Sequence, residues 1–196
     1  MIKVQNLSKV IKKQVIFSDM NFEFEKGIYL LQGDNGVGKS TFLKVLAGLY
    51  KPTNGNILWD PPYKKTEAGF ISDTPLFIEE LSFSDNMRFI ANLRGISKAN
   101  AEEKIKLYSE LFNLPIGTRK VLYEYSSGMR RKVELAISLI NDPICLIWDE
   151  PFKALDKKSI NILFEEIISE DKLFIISTHN VELLKFYNTH IIQFKR

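Results

Sequence analysis

The pattern of apolar and polar residues changes character twice along this chain. Residues 2–7 alternate as a half-buried strand does, and Val15–Phe24 reads as a second strand with Phe17, Phe22 and Phe24 as core. Gly27–Gln32 is a short buried strand. From Lys39 to Ala47 the period becomes helical, with Phe42, Leu43, Leu46 and Ala47 able to share one face. Gly48 and Pro52 end that helix, since glycine accepts the terminal backbone geometry and proline cannot continue it. Thr53–Asn56 predicts a turn, Ile57–Trp59 a short strand, Pro61–Pro62 an interruption, and Gly69–Ser72 another strand.

From about Pro75 to Ser126 no strand-like run occurs; Ser84–Leu93 and Ala99–Leu111 both have helical periodicity, joined at Arg94–Ser97. Strands then resume. Ile144–Trp148 is a continuous apolar run, as expected of a central parallel strand covered on both faces. A helix over Lys157–Ser169, a strand over Leu173–Ser177, a helix over Val181–Phe186 and a strand over His190–Phe194 follow. Strands alternating with helices predict an α/β fold with a mostly parallel sheet, its ligands at the carboxyl ends of the strands. The expected organisation is one domain over residues 1–196, with a core of 1–74 and 127–196 and a helical insert of about 75–126.

Composition alters this picture little. Of 196 residues 45% are hydrophobic, enough for a proper core, and a net charge of +3 is too small to argue for nucleic acid by itself. A single cysteine, Cys145, rules out an internal disulfide and suits a reducing cytosol. Met1–Asn6 lacks the long apolar region of a signal peptide, and no run approaches the ~20 residues that span a bilayer, so a soluble chain is expected.

The candidate chemistry alters it more. Gly33, Asp34, Asn35, Gly36, Val37, Gly38, Lys39, Ser40 and Thr41 fit the phosphate-binding pattern G-x-x-x-x-G-K-[ST], between a predicted strand and a predicted helix. Glycines let successive backbone N–H groups converge on an anion, and the new helix adds its positive end. Lys39 can reach the β/γ-phosphates and the Ser40 hydroxyl can ligate Mg²⁺. Asp149 and Glu150 directly follow the buried strand, which makes Asp149 a metal-shell candidate and Glu150 a candidate general base toward an attacking water. Ser126 is a good N-cap for a helix whose first turns carry Arg130, Arg131 and Lys132. Cations there oppose the helix dipole, so an anion or acidic partner near that end is expected, with a solvated basic face as the alternative. His179 lies just past another apolar strand, on the phosphate side of the sheet.

Together these pieces resemble the ATP-binding subunit of ABC transporters over nearly the whole chain. Gly33–Thr41 looks like the Walker A loop and Ile144–Glu150 like the Walker B strand with its catalytic glutamate. Tyr125–Met129 is similar to the signature L-S-G-G-Q, Lys153–Asp156 to the D-loop S-A-L-D, and His179 to the switch histidine. The resemblance implies a P-loop fold of ABC type, with an antiparallel N-terminal β portion and a helical insert subdomain beside the mostly parallel core. It also implies ATP and Mg²⁺ as cofactors, and a head-to-tail dimer in which Ser126, Ser127, Gly128 and Asp156 of one chain face the Walker A loop of another.

Four positions depart from the family pattern. Ser127 replaces the first glycine of the signature and Met129 its glutamine. Asp73 stands where the Q-loop glutamine is expected, an acidic residue before Thr74–Pro75 as in some peptide-antibiotic immunity transporters, and can reach Mg²⁺ through water. Ile11 stands at the adenine-stacking aromatic, which predicts weak base selectivity. The implied function is an ATPase subunit that powers a transporter, acting through Glu150 and His179. It would be cytoplasmic, peripheral on the inner face of the membrane, paired with transmembrane permease subunits and with a second identical or sister ATPase. Nucleic acid is not an expected partner; an ABC ATPase acting on DNA or ribosomes, and a degenerate scaffold, are the alternatives.

Overall fold

The computed structural model describes residues 1–184 and 187–194. The chain divides into two compact units, Met1–Asp73 with Ile144–Glu150 and Ser169–Arg196, and Thr74–Pro143 with Pro151–Ile168.

The first unit contains two sheets. Strands β1 (Ile2–Ile11), β2 (Gln14–Phe24) and β4 (Asn54–Trp59) form an antiparallel sheet in the order β2-β1-β4. β1 runs four residues beyond the expected Leu7 because its register against β2 shifts three times between Val4 and Val10. Each irregularity turns the following side chains to the other face, so the alternation that marks a strand is lost while the pairing continues. The expected turn at Thr53–Asn56 is also strand from Asn54 onward: Asn54 pairs with Ser8, and Gly55 fits where a Cβ would meet the Gln5 and Asn6 carbonyls at 2.4 and 2.3 Å.

The second sheet is built from β3 (Gly27–Gln32), β5 (Gly69–Ile71), β6 (Cys145–Asp149), β7 (Leu173–Ser177) and β8 (Thr189–Gln193), in the order β5-β6-β7-β3-β8. Every pairing in it is parallel. All residues of β6 and β7 are buried, as their unbroken apolar runs require. Helix α1 (Lys39–Leu46) buries Phe42, Leu43, Val45 and Leu46 in a cluster with Leu31, Ile147 and Ile175. The Phe42 ring meets Phe17 and Phe22 of the antiparallel sheet edge-on at 5.8 Å each, and Phe194 at 5.4 Å. Full burial of such a ring contributes roughly 1.5–3 kcal/mol, so the helix that opens at the glycine loop is pinned by its apolar face.

The second unit holds α2 (Phe83–Leu93), α3 (Lys98–Phe112), α4 (Ser127–Leu139) and α5 (Lys157–Ile162), the last continuing as a π-helical turn to Ile167. Each opens on a side-chain cap: Ser82 accepts from Asp85 N–H, Ser97 from Asn100, Ser126 from Met129 and Asp156 from Ser159. The expected helix Val181–Phe186 is a single 3₁₀ turn at Val181–Leu184; Lys185 and Phe186 lie outside the described residues. No helix among the described residues is long and apolar enough to cross a membrane.

Candidate nucleotide site

The glycine loop joins β3 to α1 at the carboxyl end of the parallel sheet. Gly38 is the N-cap of α1 with φ 110°, and a Cβ there would come within 2.8 Å of Ile16 Cγ2. Glycine is therefore required both by backbone geometry and by the close passage of β2. No side chain caps α1 and no acid occupies its first turn, so the dipole-bearing N–H groups keep their capacity for an anion. The Lys39 side chain folds back over the loop, its residue 7% exposed, and Nζ donates to the carbonyls of Gly33 at 2.7 Å and Asp34 at 3.0 Å. Asp34, Asn35 and Gly36 are exposed, Val37 is buried, and Ser40 and Thr41 are half-buried on the first turn of the helix.

Two strands away, β6 delivers Asp149 and then Glu150 to the same edge. Asp149 is 4% exposed, and the Ser177 hydroxyl of β7 donates to its Oδ1. No ion pair to Asp149 occurs among the described residues. Glu150 has φ 50°, uncommon for a residue with a Cβ, and its N–H still donates to the Ser177 carbonyl at 2.9 Å. The ladder thus continues one residue past β6 before the chain turns. Glu150 Oε2 accepts from the His179 N–H at 3.3 Å, and Oε1 lies 3.4 Å from His179 Nε2. Backbone strain of this kind costs about 1–3 kcal/mol and persists where surroundings over-determine it, here through contacts on both backbone and carboxylate.

Asp73 follows β5, and its carboxylate is bound by Lys44 Nζ of α1 at 2.7 Å. The first unit therefore brings together the glycine loop, Asp73, Asp149, Glu150 and His179. Gln32, Gly33, Asp34, Thr178, His179 and Gln193 line a polar recess of about 360 Å³ beside the loop. A second recess of about 420 Å³ lies on the other flank, lined by residues 14–18, Met20, Gly36 and Val37. Ile11 is half-buried and is not among its lining residues. Phe17, which lines this recess, and Tyr63 are buried in the core.

Ser126, Ser127, Gly128 and Asp156 belong to the second unit and form their own group. A Cβ on Gly128 would lie 2.6 Å from the Ala154 carbonyl, so this glycine is required by close packing within the unit, whatever approaches from outside. Asp156 Oδ1 accepts from both the N–H and hydroxyl of Ser159, at 2.7 and 2.8 Å, and Oδ2 lies 3.4 Å from Lys132 Nζ. These bonds hold its carboxyl below the usual range, the Ser159 N–H contributing most. The three cations in the first turns of α4 have acidic partners within the chain. Arg130 bonds Glu79 at 3.0 Å and the Tyr123 carbonyl at 2.7 Å, Arg131 pairs with Glu134 at 2.5 Å, and Lys132 pairs with Asp156. Burial raises the Glu134 carboxyl to about 7 despite Arg131.

The residues at the sheet edge suit Mg²⁺. A buried carboxylate with no ion pair among the described residues invites a cation, and a carboxylate oxygen pinned by Ser177 leaves the other oriented. No group of three or more His, Cys, Asp or Glu able to hold a metal occurs among the described residues. Mg²⁺ at nucleotide sites needs no such cage, since phosphates and water supply most of its ligands. Nothing in the sequence marks Ser177 or Lys44. Their partners lie 28 and 29 residues away, and neither spacing carries a local signal.

Comparison with known proteins agrees with this geometry. The family model described as ABC transporter matches residues 17–153. The lantibiotic transport ATP-binding protein SrtF of Streptococcus pyogenes is 36% identical over 188 residues, covering 91% of this chain and 80% of that protein. The bacitracin transport ATP-binding protein BcrA of Enterococcus faecalis is 34% identical over 169 residues, covering 82% of this chain and 54% of its own length. A solved structure of an ATP-binding subunit of an ABC transporter superposes with a TM-score of 0.86 at 27% identity, covering 100% of this chain and 88% of that one. With the glycine loop, the buried Asp149 and the strained Glu150 on one sheet edge, the chain belongs to the ABC transporter family as an ATP-binding, ATP-hydrolysing subunit.

Proposed function

We propose that this subunit binds Mg-ATP at the edge formed by Gly33–Thr41, Asp73, Asp149, Glu150 and His179, and drives a membrane permease through an ATP-dependent dimer. In this reading Lys39 leaves the Gly33 and Asp34 carbonyls for the β/γ-phosphates, whose charge outweighs two neutral acceptors. Ser40 and Asp149 would hold Mg²⁺, Asp73 through water, and the ion would offset charge developing on the transferred phosphoryl group. Glu150 takes the proton of the attacking water, and His179 keeps the Glu150 carboxylate aimed. The observation that carries the reading is Glu150, strained at φ 50° yet held by Ser177 and His179 beside the loop's sheet edge. Phosphate release from Mg-ATP by the purified chain, lost when Mg²⁺ is chelated, is the direct test.

The nucleobase is read loosely. The recess beside Gly36 and Val37 is lined by Val15, Ile16 and Met20 with Phe17, which is only 5% exposed, and Tyr63 is buried in the core. Without stacking, worth about 1–3 kcal/mol per base, the phosphates dominate affinity. ATP and GTP are expected to bind within about tenfold of each other in competition titrations. A hundredfold preference for ATP would mean that another group reads the base.

Residues 75–126 are proposed as the insert that meets the permease. Phe83 and Met87 are buried within the second unit, Phe77, Leu81 and Ile90 are half-buried, and Ile78 and Phe89 are exposed. Asn86 braces this stretch by donating to the Ile78 and Ser82 carbonyls and accepting from Ile78 N–H. Ile78→Asp and Phe89→Asp are expected to reduce co-purification with the membrane subunit several-fold while ATP affinity stays unchanged. The dimer is formed with an identical chain or a sister ATPase, with Ser126–Gly128 and Asp156 facing the opposite loop. The complex lies on the inner face of the membrane.

A further inference from the structure

Lys44 lies four residues after Ser40 on α1, so both side chains fall on the same face of the helix, one turn apart. Its side chain is 15% exposed, whereas that of its partner Asp73 is 61% exposed. Burial pulls the Lys44 ammonium down, but its hydrogen bond to Asp73 and the charges of Asp73, Tyr50 and Asp149 outweigh this and raise it. The ammonium is thus held by one proposed metal carboxylate and feels the field of the other. Lys44 Nζ already lies 5.6 Å from the centre of the Tyr50 ring, which it shares with Lys9 Nζ at 5.7 Å, so that ring still faces the ammonium if Asp73 is withdrawn.

We propose that Lys44 is a positioning residue for Asp73, whose carboxylate it contests with Mg²⁺. The inference rests on the reading that Asp73 and Asp149 serve the metal. In the absence of the ion, the Lys44 ammonium neutralises Asp73 and restrains it against α1. When Mg-ATP arrives, Asp73 is drawn toward the divalent charge and Lys44 retreats toward Tyr50. Since Asp73 ends the first unit's opening segment, the exchange marks nucleotide arrival at the residue from which the chain enters the second unit. By linkage, a cation that lowers Mg²⁺ affinity is itself displaced by Mg²⁺. The simpler assignment for Lys44 is a cation in the last turn of a helix, where it meets the negative end of the dipole. That role predicts a change in stability and none in metal dependence.

The experiment measures binding of a fluorescent ATP analogue while Mg²⁺ is titrated, in wild type, Lys44→Met, Lys44→Arg, Asp73→Asn and Lys44→Met/Asp73→Asn, with melting temperatures taken in chelator. Methionine keeps most of the side-chain volume without the charge. Lys44→Met is expected to lower the Mg²⁺ concentration at half-saturation by about fivefold or more, a typical coupling between linked sites. Lys44→Arg keeps the cation and stays near wild type, and in the Asp73→Asn background most of the Lys44→Met shift disappears. An unchanged or higher Mg²⁺ requirement in Lys44→Met overturns the proposal, as does an equal shift with Asp73 already removed. A lower melting temperature alone overturns it in favour of the helix-end role. If wild-type binding ignores Mg²⁺ altogether, the metal reading itself fails, a result distinct from the others.

Discussion

Glu150→Gln is expected to slow ATP hydrolysis by a factor of about 10²–10⁴, the range for losing a positioned general base, while ATP binds at least as tightly as in wild type. Glutamine keeps nearly the same volume, and its amide oxygen can still accept the His179 N–H that Glu150 Oε2 accepts at 3.3 Å. The backbone bond from residue 150 to the Ser177 carbonyl does not involve the side chain, so the φ 50° conformation and its strain carry over. What disappears is the proton acceptor and one negative charge. Single-turnover phosphate release beside an equilibrium titration separates the two effects. Hydrolysis at the wild-type rate would show that Glu150 is not the base, and His179 would then be the leading candidate.

Lys39→Ala acts on binding instead. Nζ satisfies two loop carbonyls, and in the proposed site it turns to the phosphates as their principal mobile cation. A hydrogen bond to a charged group is worth about 1.5–3 kcal/mol, so affinity for ATP is expected to fall roughly 10- to 150-fold. The same truncation leaves the Gly33 and Asp34 carbonyls without their donor, which adds a modest loss of thermal stability in the nucleotide-free protein. Unchanged affinity in a nucleotide titration would remove the phosphate-site assignment.

The parts of the site that sequence spacing reveals are those fixed by local geometry. Gly33–Thr41 is legible because one strand, one turn and one helix start impose both the residue types and their intervals. Asp149, Glu150 and His179 are legible because a buried strand announces itself as an apolar run and its end is then known. Ser126 is legible as a cap because capping is decided within four residues. The partners across the fold were not. Arg130 finds Glu79 at a separation of 51 residues and Lys132 finds Asp156 at 24, so the acidic partners of these two cations carry no local signal, whereas Arg131 meets Glu134 within one helical turn. Gly128 shows the same limit. Its place in the signature suggests room for a phosphate, whereas its nearest constraint is the carbonyl of Ala154, itself at φ 62°. In β1 the reason is different: a bulged strand contradicts its own alternation, and only the partner strands β2 and β4 reveal that Ser8–Ile11 continue the ladder.

In the proposed cycle ATP binding closes a dimer and hydrolysis at Glu150 opens it. That cycle is tested most directly by size-exclusion chromatography in Mg-ATP of wild type, Glu150→Gln and Asp149→Asn. Trapped ATP should move Glu150→Gln from monomer to dimer, while wild type stays monomeric as it turns ATP over. Asp149→Asn should stay monomeric because its damage falls on the metal and so on the ATP-bound state itself. A Glu150→Gln subunit that stays monomeric with ATP fully bound would contradict the account.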